Sequence, residues 1–210
     1  MYNMDKCNGW DCIDNTWPIV RPTQTIPHGL ARFRVSEAPG NGNAFCHFFL
    51  NDYIFERIWR HPEKYVDMLR MYEGVIAPDF STYTDMPYPM QMWNVYRSRA
   101  LAHYWQDCGL DVIANIQFSD MRSMEWCFDG MPRHSVLALS SVGVARNSSN
   151  RFAFKRGAEE ACRLLEPTAV VCYGPEVEFK SNGAKIYRYE SDNNTRVRLW
   201  QEKRDADETE

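Results

Sequence analysis

No stretch of the chain approaches the ~18 consecutive apolar residues of a membrane span. Its first ten residues, MYNMDKCNGW, lack the apolar core of a secretory signal. There is no G-x-x-x-x-G-K-S/T phosphate loop, no H-E-x-x-H and no G-x-S-x-G, which removes the common signatures of P-loop NTPases, zincins and nucleophile-elbow hydrolases. Gly40-Asn41-Gly42 precedes a predicted strand instead of following one, so it is not a dinucleotide fingerprint. Basic excess is missing too. With a net charge of −4, the whole chain carries no electrostatic footprint for nucleic acid. Seven cysteines is an odd number, and Cys46, Cys108, Cys127, Cys162 and Cys172 lie in apolar segments, where a free thiol acts as a small hydrophobe. That favours a reducing compartment over a disulfide framework. The expectation is a cytoplasmic protein with no membrane association and no cofactor signature.

What is present is the composition of an ordinary globule, 44% hydrophobic and 25% charged over 210 residues, the size of one domain. Aromatics are abundant at 14%, enough for a large core, a lined pocket or an interface. Residues 1–43 hold Pro18, Pro22, Pro27 and Pro39 and read as an irregular arm with one short strand near Arg32–Ser36. Residues 44–200 read as a single α/β domain, and 201–210 as a charged, frayed tail.

Within that domain, apolar runs alternate with helical patterns. Strands are predicted over 44–50, from Gly74, over 111–118, 135–144 and 168–173. Helices are predicted after Asn51-Asp52, from Pro62, over 87–108, through 121–127 and over 152–165. Such alternation implies a predominantly parallel sheet with right-handed crossovers. A full eightfold barrel usually needs ~250 residues, so an open sheet or an incomplete TIM-like barrel is expected. Two late strands, 185–190 and 196–200, flank Asp192-Asn193-Asn194 and read as a C-terminal β-hairpin.

Ligands of parallel α/β folds bind beyond the carboxyl ends of the strands. Polar residues that follow each apolar run should therefore gather on one rim. These are Asp52; Asp79 and Ser81; Asn115, Gln117 and Asp120; Ser140; and Tyr173 with Glu176. Asp52 is placed where a helix cap would also use it. Asp79 follows Pro78, which holds Ala77 extended, and stands too far ahead of the next helix to cap it. Asp79 and Asp120 are the candidate catalytic carboxylates. Trp93 and Arg97 sit on the following helix, where Arg97 could pair with Asp79 or hold an anion. A metal centre has two readings: Cys7, Cys12, Cys46 and His47 for zinc, or Asp79, Asp120 and Glu176 for a hard cation. Residues 46 and 47 would face opposite sides of a strand.

The linked runs PDFSTYTDMP, QMWNVYRSRALAHYWQDCG, FDGMPRHSVLALSSVG and the late CYG resemble an uncharacterised domain-of-unknown-function family found in bacteriophages, prophages and conjugative elements. The resemblance covers roughly residues 44–175. It implies a mobile-element origin and no particular activity. The motif positions in this chain are Asp79, Ser81, Asp85, Trp93, Asn94, Arg97, Arg99, Asp129, Gly130 and Gly174.

Three functions compete. The first is a small-molecule site at the strand rim, hydrolytic on a nucleotide-like or sugar-like ligand. Asp79 would act as base or metal ligand and Arg97 would hold an anion. Asn115 and Gln117 would orient the substrate, with Phe80, Tyr83 or Trp93 stacking on a ring. The second is a binder without turnover that sequesters a host signalling nucleotide or blocks a host protein. The third, a DNA accessory factor, rests on Lys155, Arg156, Arg163, Arg188, Arg196 and Arg198, a pattern that charged sheet edges also produce.

Overall fold

The apolar runs become seven short strands that join in the order of the chain. A computed structural model describes residues 3, 5–6, 12–13, 17–34, 42–144 and 148–191. A two-residue antiparallel pair, β1 (Cys12–Ile13) and β2 (Trp17–Pro18), stands apart. The main sheet runs β3 (Leu30–Arg32), β4 (Phe45–His47), β5 (Gly74–Ile76), β6 (Val112–Asn115), β7 (Val136–Ser140), β8 (Ala169–Tyr173) and β9 (Lys185–Tyr189). Every neighbouring pair is parallel. Parallel crossovers take the right-handed path, so a sheet that never reverses its order puts every connection on one face. It curls into a half-barrel.

Strand alternation then sorts the side chains. Cys46, Val75, Ala77, Val112, Ala114, Leu137 and Val170 face the helices in one large core. Phe45, Ile76, Ile113, Val136, Ala138, Val171 and Tyr173 form a second cluster on the concave face. The curl brings distant strands together inside. The His47 ring of β4 lies 4.4 Å from that of Tyr173 on β8, and the Phe49 ring stacks on the same tyrosine at 5.1 Å.

Helix α1 (Asp52–Arg60) buries Phe55, Ile58 and Trp59, the i, i+3, i+4 spacing of one apolar stripe. Pro62 opens a 3-10 turn that runs into α2 (Val66–Leu69). Helix α3 (Tyr88–Asp107) starts after Pro87 and ends before Gly109, whose φ of 83° suits a helix terminator. Its buried residues occur all round, because the sheet, α1 and the N-terminal segment each cover a side. Trp105 stacks on Phe48, and His103 Nδ1 lies 2.8 Å from the Ile19 carbonyl oxygen. Helix α4 (Ser148–Leu165) faces the core with Phe154, Ala158, Ala161, Cys162 and Leu165. Between β6 and β7 the expected helix is only a 3-10 turn, Ser123–Glu125.

Residues 17–34, read from sequence as part of an irregular arm, pack along the sheet and supply its first strand. They cross the amino-terminal ends of the strands as a floor. Val136 N–H donates to the Thr23 carbonyl (2.9 Å), Thr168 Oγ1 to Gln24 Oε1 (2.8 Å), and His28 Nδ1 meets Glu73 Oε1 at 2.7 Å. Of the expected C-terminal hairpin, the first strand is β9, which joins β8 in parallel as the seventh strand. Residues 196–200 lie outside the described residues. The Tyr189 hydroxyl donates to the Pro27 carbonyl and so ties the last strand to the segment leading into the first.

The floor is pinned where Trp17 stacks on Trp126 (5.5 Å, 4°) and Val20 N–H donates to the Gly130 carbonyl. Gly130 has φ +74°, and a Cβ there would sit 2.4 Å from the Pro18 oxygen. Gly130→Ala should therefore combine left-handed strain with overpacking and cost about 2–4 kcal/mol. A midpoint in denaturant unchanged from wild type would show that this contact yields freely.

Candidate functional site

The PDFS segment leaves β5 at the carboxyl rim, and side chains hold its backbone. Ser98 Oγ donates to the Pro78 carbonyl (2.7 Å), Gln117 Nε2 to that of Phe80 (2.8 Å) and Asn94 Nδ2 to that of Ser81 (2.6 Å). The Ser81 N–H and hydroxyl both donate to the Asp52 carboxylate, the latter at 2.9 Å. Asn51, at the cap position of α1, makes no side-chain capping bond, and Asp52 in the first helical turn instead braces the neighbouring loop.

This bracing fixes Asp79. Its Oδ1 accepts from Asn115 Nδ2 at 2.8 Å. Burial pushes its carboxyl up to about 7, against the lowering effect of the Asn115 bond, and the nearby Asp52 charge adds to the rise. A carboxyl poised there can give or take a proton at neutral pH. Asn115 is fully buried and shares the concave face with Ile113. Its Oδ1 has no donor, and neither has the buried Oε1 of Gln117 two residues further on. Asp79, Asn115 and Gln117 thus form one compact polar group at the mouth of the half-barrel, with Ser81 and Asp52 beside it.

Other candidates lie elsewhere. Arg97 does not pair with Asp79. Its guanidinium binds Glu56 Oε2 (2.8 Å) and Asn94 Oδ1 (2.6 Å) and lies 3.8 Å over the Phe80 ring. The reason is position: Arg97 is nine-tenths buried between α3 and α1, where Glu56 is the adjacent acid. Trp93 packs edge-on against Trp59 and stacks with Tyr96, in the same seam. Asp120 binds Arg122 twice and accepts from the Arg122 and Ser123 N–H groups. Arg122 holds its carboxyl below the usual range, and the whole unit is a local turn. Ser140 follows Val136 and Ala138 on the concave face of β7, and its hydroxyl accepts from the Val142 N–H. Tyr173 packs against His47 and Phe49 inside the mouth. Glu176 pairs with Arg188 at 2.9 Å and lines a surface cleft of about 480 Å³ with Arg151, Phe152, Lys155, Val177 and Glu178.

Among the described residues no group of three or more His, Cys, Asp or Glu is placed to hold a metal ion. Cys46 points into the helix-side core, where burial drives its thiol up, while His47 faces the concave side. Cys7 lies outside the described residues. No helix among those described is long and apolar enough to cross a membrane. All six described cysteines are free, and burial pushes Cys127 and Cys172 up to about 12 and Cys162 to about 11, the behaviour of packing residues.

Sequence reading passed over Glu56 and Ser98, the concave position of His47, and the bonds that Asn94 and Arg99 make. A signal existed for two of them. Gln91, Asn94 and Ser98 recur at the three-to-four spacing of a helical stripe, so a polar ridge on a helix packed on the sheet must find polar partners there.

Comparison with known proteins places the chain in a family. The model of a domain of unknown function, DUF4417, matches residues 13–190. The Gene 1 protein of Mycobacterium phage L5 is 37% identical over 161 residues, 75% of this chain and 70% of that protein. The Gene 1 protein of Mycobacterium phage D29 is 34% identical over the same length, 75% of this chain, but the match spans only 59% of it. No solved structure matches the chain. The chain therefore belongs to the DUF4417 family, an uncharacterised family represented in bacteriophages.

Proposed function

We propose that the mouth of the half-barrel is a small-molecule site in which Asp79 moves a proton, with hydrolysis of a sugar-like or nucleotide-like ligand as the reaction class. The observation that carries this reading is the Asp79–Asn115 pair at the carboxyl ends of parallel strands. There a carboxyl titrating near neutrality stands next to buried amide oxygens that lack donors. Asp79 would be the general base, Asn115 would orient it, and Gln117 would contact the ligand. Ser81 and Asp52 would keep the loop in place. Arg97 and Asp120 are outside the proposed chemistry, since each is already engaged by a neighbouring charge.

The test is a thermal-shift screen of wild type beside Asp79→Asn against sugars, nucleosides, nucleotides and divalent cations, followed by product analysis of any hit. The expected result is a compound that stabilises wild type, stabilises the variant much less, and is turned over only by wild type. A ligand returned unchanged by wild type would sink the hydrolytic part.

A second reading has its own observation. Tyr53, Tyr83, Met90, Met121, Val142 and Phe152 are large, exposed and apolar, and all stand in or just after loops on the carboxyl side of the sheet. Their gathering on one rim supports a binder that covers a host protein with it. Capture of one defined host protein, abolished by Tyr83→Ser with Phe152→Ser, would support it. For nucleic acid, Arg196 and Arg198 lie outside the described residues.

A further inference from the structure

We infer that the Asp79 mouth recognises its ligand through hydrogen-bond donors on the ligand, and that it takes an unphosphorylated, hydroxyl- or amino-bearing compound in preference to a phosphate. The inference rests on the small-molecule reading above and narrows it by chemistry.

Three facts support it. First, the two amide side chains beside Asp79 leave acceptors unsatisfied. Asn115 is 0% exposed and Gln117 3%, each spends its amide N–H on the protein, and each leaves its carbonyl oxygen without a donor. Buried acceptors left in this state are costly, and a ligand that supplies N–H or O–H groups removes the cost. Second, the nearby charge is acidic. The Asp52 carboxylate is close enough to help raise the Asp79 carboxyl, and a phosphate would meet both. Third, the cations expected to balance an anion are engaged elsewhere. Arg97 is bound by Glu56, Arg122 by Asp120 and Arg188 by Glu176, and Arg99, buried on the helix side, spends two N–H groups on the Asn115 and Cys127 carbonyls.

Spacing refines the ligand. Residues 115 and 117 are two apart where the chain leaves β6, a backbone separation of about 7 Å if it stays extended. Two unpartnered acceptors match a ligand with two donors, such as the hydroxyls of a sugar ring, or a ribose hydroxyl and a base amino group in a nucleoside. Both sources share the chemistry, and the experiment separates them.

The probes are D-glucose, D-ribose, adenosine, guanosine, adenosine 5′-monophosphate and inorganic phosphate, followed by thermal shift and then calorimetry on the full chain. The expected result is a rise of about 3–6 °C for at least one unphosphorylated compound at ten times its Kd. Its 5′-phosphate, where one exists, should bind more weakly. Gln117→Leu should lose at least tenfold in affinity for that compound. Should this variant fail to fold, the wild-type comparison of adenosine with its monophosphate still decides. If the monophosphate binds as well or better, and loses its shift in Asp79→Asn, the donor rule falls while the site stands. If no unphosphorylated compound shifts wild type, the inference is overturned. If the phosphates are also silent, the small-molecule reading falls with it.

Discussion

Asp79→Asn is expected to make the protein more stable at pH 8 than wild type and to change it little at pH 4. An unfolded aspartate titrates near 4, and the folded Asp79 carboxyl near 7. Below about pH 4 both states are protonated and the folded state pays nothing for the group. Between pH 4 and 7 the unfolded chain releases the proton while the folded one keeps it, so unfolding stability falls as pH rises. Above about pH 8 both are ionised and the loss is complete. A gap near three units corresponds to about 2–4 kcal/mol once partial solvent contact is allowed for. Asparagine cannot ionise, and its Oδ1 can still accept from Asn115, so the variant escapes the loss. Urea unfolding of both proteins from pH 4 to 8 measures the difference directly. Parallel curves would mean that Asp79 is an ordinary carboxylate, and the case for proton transfer would go with it.

The second large effect concerns Arg99, which is fully buried on α3 and donates to the Asn115 carbonyl (3.1 Å) and the Cys127 carbonyl (2.9 Å). No carboxylate among the described residues forms an ion pair with it. Asp129 helps only through its more distant charge, and burial lowers the guanidinium to about 10 from its usual 12.5. The charge therefore costs about 3 kcal/mol to bury. Two charge-assisted bonds return about 1.5–3 kcal/mol each. Arg99→Ala removes both bonds and opens a cavity worth about 2–5 kcal/mol, while relieving the burial cost. The net expected loss is about 3–5 kcal/mol, read from the shift in denaturant midpoint. Arg99→Met refills the volume and keeps the relief, so its loss should stay within about 2 kcal/mol. If the two variants were equally unstable, the bonds and not the packing would be what Arg99 supplies. Because one bond reaches Asn115, the alanine variant should also loosen the residue that orients Asp79.

The parallel sheet was legible because its strands are short apolar runs separated by helical periods, as in VIAN, VLALS and AVVCY. The seventh strand was legible as a strand, but its parallel pairing with β8 was not. Lys185-Ile186-Tyr187-Arg188-Tyr189 alternates like an edge, and Asn193 promises a turn, yet alternation says nothing about which neighbour a strand will choose. The first strand was nearly hidden, because Leu30–Arg32 is only three residues long and follows a proline-rich stretch. At the rim, adjacency along the chain revealed which residues stand after strands, and that is how Asp79 and Asn115 came to be grouped. It could not reveal that Arg97 meets Glu56, 41 residues earlier, because that pair depends on how α1 lies against α3. Asp120 shows how a local partner can be overlooked. Arg122 two residues away makes a self-contained turn, a local explanation that outweighs a functional one.

The floor laid by residues 17–34 has a consequence for how the chain is assembled. The strands are neighbours in sequence order, so each can add to the last as it emerges from the ribosome. The floor cannot. Its bonds join positions 23 and 135, and 24 and 168, closing loops of 112 and 144 residues. The entropy of closing a loop must be met before its contacts form, and high contact order slows folding. Residues 17–24, made before any strand of the main sheet, are therefore among the last to settle. Until β8 has been made, the open bottom of a growing half-barrel is exposed to whatever else is in the cell.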